Sequence, residues 1–388
     1  MCVDESDRDG RGEADCGRGG ASLPALRVAR TSWGPDGGRH GGMGRVAEEV
    51  CARWRGADWM EARWRMVRIP AVGWWPWALD IPEGAQVLWM PRSFGATVLD
   101  ARRPRIPVVV LVHDVGALDC AEDRRSLGPL RVRWIRQSFL HLGHATKIIV
   151  DSRFTRARLL ALVPTVAPEQ LVVVPLGVSE IFRTYRSGPA DARARVAERV
   201  PGLGGRWPWL AYAGDEAPRK NMGLLLDTMV ALRRRWPAAT LIKAGSARSR
   251  AARTATLTHM RQRGLVAGRD VVFVDACSDP LLADVYGAAD VFLSASLYEG
   301  FGLPPLEAMA CGAFVVATNC GAFPELLGGY AVLSPPTRDA FARAVAAALA
   351  APPDAAERER RRRYARSFTW ERTASAYAAV VQDVAARS

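Results

Sequence analysis

Asp290-Val-Phe-Leu-Ser294, Glu299-Gly-Phe-Gly-Leu-Pro-Pro-Leu-Glu307, Gly312 and Ala313-Phe-Val-Val-Ala317 follow one another closely, and this order restricts the fold more than any other stretch. The first apolar run predicts a short buried strand. Pro304 and Pro305 fit the first turn of a helix, where a missing N–H costs nothing. Gly312 supplies the helix stop, and the second apolar run opens another strand. The unit is strand, glycine loop, short helix, strand. Such a loop offers backbone N–H groups at a helix N-terminus, where anions and hydroxyl-rich ligands bind readily. Glu299 and Glu307 bracket it. Carboxylates at a helix start are also good capping groups, and the residues alone leave both roles open.

The same grammar runs through the chain. A first expected strand from Leu23 to Trp33 leads into Gly34-Pro-Asp-Gly-Gly-Arg-His-Gly-Gly-Met-Gly44, and Arg45-Val-Ala-Glu-Glu-Val-Cys51 then begins a helix. Ile106-Pro-Val-Val-Val-Leu-Val112 predicts a buried strand, with His113 and Asp114 at its carboxyl end, where ligand-contacting side chains of an open α/β sheet gather. Lys147-Ile-Ile-Val150 is a further strand, with Ser152 as a helix cap, and Leu171–Val178 closes this half. Trp209-Leu-Ala-Tyr-Ala213 opens the second half, followed by a loop that carries Arg219 and Lys220. Met222, Leu225, Leu226 and Met229 then recur at the spacing of one helical face. Cations and free amides at that helix start suit a diphosphate, although basic residues beside a helix are commonly mere solvated decoration.

A length of 388 residues favours two domains, each large enough for its own core. The expected division is a disordered leader at 1–22, an N-terminal domain at 23–185, a linker at 186–206, a C-terminal domain at 207–370 and a final helix at 371–388 that crosses back to the first domain. Seven cysteines, with no CxxC spacing, argue against a disulfide framework or a zinc site and suit a reducing compartment. The first residues lack the order of a signal peptide, and no apolar run is long enough to span a membrane, so a cytoplasmic location is expected. The net charge of +13 should attract something anionic: phosphorylated substrates, an acidic leaflet or nucleic acid. No nucleic-acid-binding pattern is present, so nucleic acid is not expected as a partner. Six of the thirteen tryptophans fall between Trp54 and Trp77, among arginines, which suits either core filling or contact with a sugar or a membrane interface.

Ser296-Leu-Tyr-Glu-Gly-Phe-Gly-Leu-Pro-Pro-Leu-Glu-Ala-Met-Ala-Cys-Gly312 closely resembles the acidic signature of the retaining glycosyltransferases of family four. The resemblance extends to Pro-Arg-Lys-Asn221, the His113-Asp114 pair, Gly41-Gly-Met-Gly-Arg45, Thr318–Glu325 and Phe368-Thr-Trp-Glu371, and so covers about residues 23–385. It implies the α/β GT-B fold, two Rossmann-like domains facing each other across a cleft. By the same resemblance, Glu307 would hold the ribose hydroxyls of a nucleotide-sugar donor. Glu299 with the amides of Gly300, Phe301 and Gly302, and neighbouring Leu303, would face the donor sugar. Arg219 and Lys220 would hold the diphosphate, and Gly42 and Gly44 would lie across the cleft from it. His113 would sit beside the sugar and the acceptor hydroxyl, with Asp114 orienting the ring or positioning the acceptor. Asp215, Glu216 and Asp275 depart from the family pattern, which commonly has small residues or glycine there.

The implied reaction moves a hexose to a hydroxyl acceptor, glycan or lipid-linked, with no required metal or resident cofactor. GDP-mannose is the first expectation for the co-substrate and a UDP-hexose the second, and peripheral contact with an acidic membrane is allowed by the charge. Rival readings are a nucleotide-sugar epimerase or sugar phosphorylase of the same build, a dinucleotide-dependent oxidoreductase and a non-catalytic basic binding module.

Overall fold

The computed structural model describes residues 25–31, 42–69, 73–93 and 105–387. The leader expected at 1–22 and the front of the first glycine loop, 34–41, lie outside these residues, as do the side chains of Trp64, Trp74, Trp75 and Trp77.

Two sheets organise the chain. The first contains β1 (Leu26–Thr31), β2 (Ala57–Ile69), β3 (Gly73–Asp80), β4 (Val87–Met90), β5 (Val108–Val112), β6 (Lys147–Val150) and β7 (Leu171–Val173), in the order β3-β2-β1-β4-β5-β6-β7. All neighbours are parallel except β3, which runs antiparallel to β2 at the edge. Every residue of β4 and β5 is buried, as expected of parallel strands covered on both faces, and this is why both read as unbroken apolar runs.

The second sheet contains β8 (Trp209–Ala213), β9 (Thr240–Ala244), β10 (Val271–Val274), β11 (Val291–Ser294), β12 (Phe314–Thr318) and β13 (Val332–Ser334), in the order β10-β9-β8-β11-β12-β13, all parallel. This is the doubly wound order, whose direction of winding reverses between β8 and β11. The crevice at the carboxyl ends of those two strands is the natural ligand position of such a sheet.

The stretch 186–206, expected as a linker, contains the helix Pro189–Arg199. It buries Ala192 and Val196 beside the helix Asp279–Ala288, and Arg195 and Arg193 reach Asp284 and Asp290 at 2.6 Å each. The segment is therefore integral to the second domain. The chain passes between domains at two strands of backbone that lie side by side: Val178 N–H donates to Phe368 O at 3.0 Å, and a Cβ on Gly177 would stand 2.3 Å from Trp370 N. Only glycine lets these passages touch. Beyond them the helix Trp370–Ala386 lies against the helix Gly42–Arg53 of the first domain, with Tyr377 edge-on to Trp89 and Glu371 2.8 Å from Arg53. Trp54 and Trp59 stack edge to face within the first core, the packing role that composition left open for them.

Candidate active site

On the second-domain side, β8 ends at Ala213 and the chain turns at Gly214, whose φ of +147° places its α-carbon beside the Tyr212 hydroxyl; a Cβ there would stand 2.7 Å away. The 3-10 turn Pro218–Lys220 follows, and Asn221, in the left-handed region at φ 55°, leads into the helix Met222–Leu232. Met222, Leu225, Leu226 and Met229 bury the face that their spacing predicts. This turn aims both cations inward. Lys220 Nζ lies 2.5 Å from Glu299 Oε1, which also accepts from Ser296 Oγ at 2.6 Å. Burial favours the neutral Glu299, but Lys220 and Arg219 outweigh it and hold the carboxyl below its usual range. Arg219 comes within 3.9 Å of Asp123 in the first domain, and its buried Nε has no hydrogen-bond partner. Burial opposes its charge; the carboxylates of Glu299, Asp114 and Asp123 around it prevail and raise its pKa.

The unusual acids behind this turn are engaged elsewhere. Asp215 accepts from Ala217 N–H at 3.1 Å, and buried Glu216 pairs with Arg253 at 2.8 Å and Lys243 at 3.3 Å. Arg253 also binds both oxygens of Asp275, at 2.5 and 3.0 Å. Glu216 and Asp275 thus share Arg253 in one charged network, while Asp215 bonds within its own turn.

After β11 the chain enters the glycine loop. Gly302 takes φ +107° directly against the Phe323 ring, and the helix Leu303–Cys311 starts with Pro304 and Pro305 in its first turn and stops at Gly312, φ +101°. Glu307 is buried in this helix and accepts from Tyr286 OH and from Arg45 Nη1, each at 3.2 Å. Burial pushes its carboxyl up to about 7, against the opposing pull of Arg45. Arg45 belongs to the first domain, and its Nη2 also donates to both oxygens of Asp279, at 2.8 and 2.9 Å. The helix bearing Arg45 begins at Gly42, so Gly42 and Gly44 stand in its first turn, and the helix starts three residues earlier than its composition predicts.

On the first-domain side, β5 and β6 are parallel with Val112 opposite Val150. The next residue of each strand is therefore also adjacent, and His113 Nδ1 meets Asp151 Oδ2 at 2.6 Å. Burial disfavours the imidazolium, but the Asp151 charge and hydrogen bond win and raise the His113 pKa. The other ring nitrogen, Nε2, is buried and has no hydrogen-bond partner. Asp114 does not hold the ring: its Oδ1 accepts from Gly116 N–H at 2.8 Å. The side chain at the end of the neighbouring strand takes that place, because strand register sets it there and chain adjacency does not.

The two sides meet at the glycine loop. A Cβ on Gly300 would stand 1.9 Å from His113 O, and Ser152 Oγ donates to Gly300 O at 2.6 Å. Glu325 of the second domain accepts from Arg153 N–H and Phe154 N–H, at 3.0 Å each, at the start of the first-domain helix Arg153–Leu162. Phe301 is buried in the core at 4 % exposure, edge-on to Phe368, so its side chain supports the loop. Among the described residues, no three His, Cys, Asp or Glu side chains converge as a metal cluster. Asp151, Arg45, Tyr286 and Glu325 were not singled out from sequence. Asp151 stands at the end of a buried apolar run, and Arg45 and Glu325 close two of the segments that carry the family resemblance, whereas Tyr286 had no such mark.

Two facing Rossmann-like sheets with a polar cleft between their carboxyl ends define the GT-B architecture of glycosyltransferases. The chain superimposes on the sucrose-phosphate synthase of Thermosynechococcus elongatus with a TM-score of 0.72 at 22% identity, covering 94% of this chain and 100% of that one. It superimposes on Anabaena HepE, solved in complex with UDP-glucose, with a TM-score of 0.71 at 15% identity, covering 92% and 100%. Residues 42–180 match the family described as Glycosyltransferase Family 4, and residues 208–351 match Glycosyl transferases group 1. The chain is 30% identical over 295 residues to a GDP-mannose-dependent α-(1-6)-phosphatidylinositol monomannoside mannosyltransferase of Mycolicibacterium smegmatis, covering 70% of this chain and 72% of that one. It is 31% identical over 234 residues to the O-antigen chain mannosyltransferase B of Escherichia coli, covering 59% and 57%. The protein belongs to glycosyltransferase family 4. It spans little more than half the length of several of the relatives it matches.

Proposed function

We propose that the protein transfers a hexose, mannose in the first instance, from a nucleoside diphosphate sugar to a hydroxyl of a glycan or lipid-linked acceptor, with retention at the anomeric carbon. The observation that carries this reading is the gathering of Arg219, Lys220, Glu299 and Glu307 on the segments that follow β8 and β11, opposite a buried histidine of the first sheet. In the transfer, the bond from the anomeric carbon to the diphosphate oxygen breaks and its electron pair leaves on the phosphate. Arg219 and Lys220 stabilise that growing charge, the task a divalent cation performs in other transferases, so the reading requires no metal. Glu307 accepts from the paired ribose hydroxyls, for which an ionised carboxylate is well suited. Arg45 holds one of its oxygens in the closed cleft and gives way to them. Glu299, fixed by Lys220 and Ser296, faces the sugar. His113 offers Nε2 to the sugar and the acceptor, its ring held by Asp151. GDP-mannose as donor is supported by the specificity in the name of the Mycolicibacterium relative, and UDP-glucose is the second choice through the HepE complex.

A donor screen that reads nucleoside diphosphate release, with and without hydroxyl acceptors, tests the proposal. Acceptor-dependent release from one activated hexose is expected, fastest with GDP-mannose. Conversion of the donor to an isomer without any acceptor would replace this reading with an epimerase.

A further inference from the structure

The basic charge of this chain is not evenly spread. From Arg124 to Val150 there is no aspartate or glutamate, while five arginines and a lysine occur. The five arginines fall on the end of the helix Ala121–Leu127 and on the helix Pro129–Leu140, which pack against each other in the first domain. Arg124, Arg125, Arg131, Arg133 and Arg136 are all exposed. Arg125 is paired, with Glu122 at 3.2 Å, but none of the other four has an ion-pair partner among the described residues. In their midst stands Leu130, 84% exposed, in the first turn of the helix Pro129–Leu140. Leu130, Arg133 and Gln137 follow at i, i+3 and i+7 and so share the outward face, while Ile135, Ser138 and Phe139 are buried on the inward one. An exposed leucine ringed by unpaired arginines has the chemistry of a headgroup-level anchor: the cations meet anionic phosphates and the apolar tip enters the acyl boundary. The location fits delivery to the cleft, because Asp123, on the same helix as Arg124, lies 3.9 Å from Arg219.

We propose that this face of the first domain docks on an anionic phospholipid surface, with Leu130 inserted and the arginines on the headgroups. Nucleic acid would draw on the arginines but leave the leucine without a role, whereas an anionic bilayer uses both. The surface stands independently of the identity of the donor, so it is tested without turnover.

Flotation of the full chain with vesicles of phosphatidylcholine alone, or mixed with phosphatidylglycerol, reads it directly. Binding is expected only to the mixed vesicles and should weaken as salt shortens the screening length. The triple substitution R131Q/R133Q/R136Q should lower partitioning about 100-fold, at about fivefold for each arginine near the surface. L130S should lower it about tenfold through lost apolar burial alone. Both variants should melt as the unaltered protein does, by circular dichroism. Removing three exposed arginines elsewhere, R234Q/R250Q/R363Q, is the control for net charge and should leave most binding in place. An equal loss in that control, binding to neutral vesicles as strong as to anionic ones, or patch-dependent binding of a short single-stranded RNA with none to vesicles, would overturn the proposal.

Discussion

At the scale of single residues, the site depends on carboxylates that differ in how their charge is maintained. Glu299 is held ionised by Lys220 and Arg219, whereas burial of Glu307 raises its pKa to about 7. Because the folded value of Glu307 lies above its ordinary one of 4.5, the protonated form favours the fold at low pH, and that contribution is lost as pH rises from 4.5 through about 7. In the proposed role of Glu307, nucleotide binding would run the other way, since only the carboxylate can accept from two hydroxyls. Donor affinity measured by calorimetry should therefore rise between pH 6 and pH 8, by up to about tenfold per unit on the acid side. Glu307→Gln should bind more weakly at pH 8 and show a flat profile; an unchanged slope in that variant would remove Glu307 from the ribose. Glu299, Arg219 and Lys220 stand out in the sequence because each lies in a glycine- or proline-bearing turn, and Glu307 because it follows Pro304 and Pro305 within one short helix. Asp151 was harder to see, because its partnership with His113 depends on the register of two strands 38 residues apart.

At the scale of elements, each strand–loop–helix unit is fixed locally, while contacts between units depend on glycines that exclude a side chain. Gly300 packs its α-carbon on His113 O, where a methyl group would stand 1.9 Å away. Neither atom belongs to a flexible side chain, so Gly300→Ala must part the loop from the first domain. The expected result is a larger radius of gyration by small-angle scattering and a fall in turnover of at least tenfold. Each domain should keep its secondary structure. A compact, fully active Gly300→Ala would mean that the loop does not need this approach. The helix boundaries at Pro304 and Gly312 were readable from turn chemistry, since these residues act through their own backbone. The helix Pro189–Arg199 was not: Ala192 and Val196 give a thin apolar stripe, and the rest of its adhesion comes from arginines that find Asp284 and Asp290 nearly a hundred residues away. Composition alone makes such a segment resemble a linker.

At the scale of the whole molecule, the two sheets present their carboxyl ends to one cleft, and side chains cross it in both directions. Arg45 reaches Glu307 and Asp279, Glu325 caps the helix Arg153–Leu162, and Tyr298 is buried against the first core beside Phe154. The two-domain plan was legible because the same unit recurs in both halves, but these bridges were not, since no local pattern marks a residue whose partner lies in another domain. The central claim is that the carboxyl end of the second sheet holds a nucleoside diphosphate sugar through Arg219 and Lys220. Calorimetric titration of GDP-mannose and UDP-glucose into the unaltered protein and into Arg219→Ala and Lys220→Ala tests it most directly. Saturable binding of one donor, weakened at least tenfold in each variant (about 1.4 kcal/mol or more) with the fold retained, is expected. Binding that both substitutions leave unchanged, or no binding of any activated hexose, would contradict it.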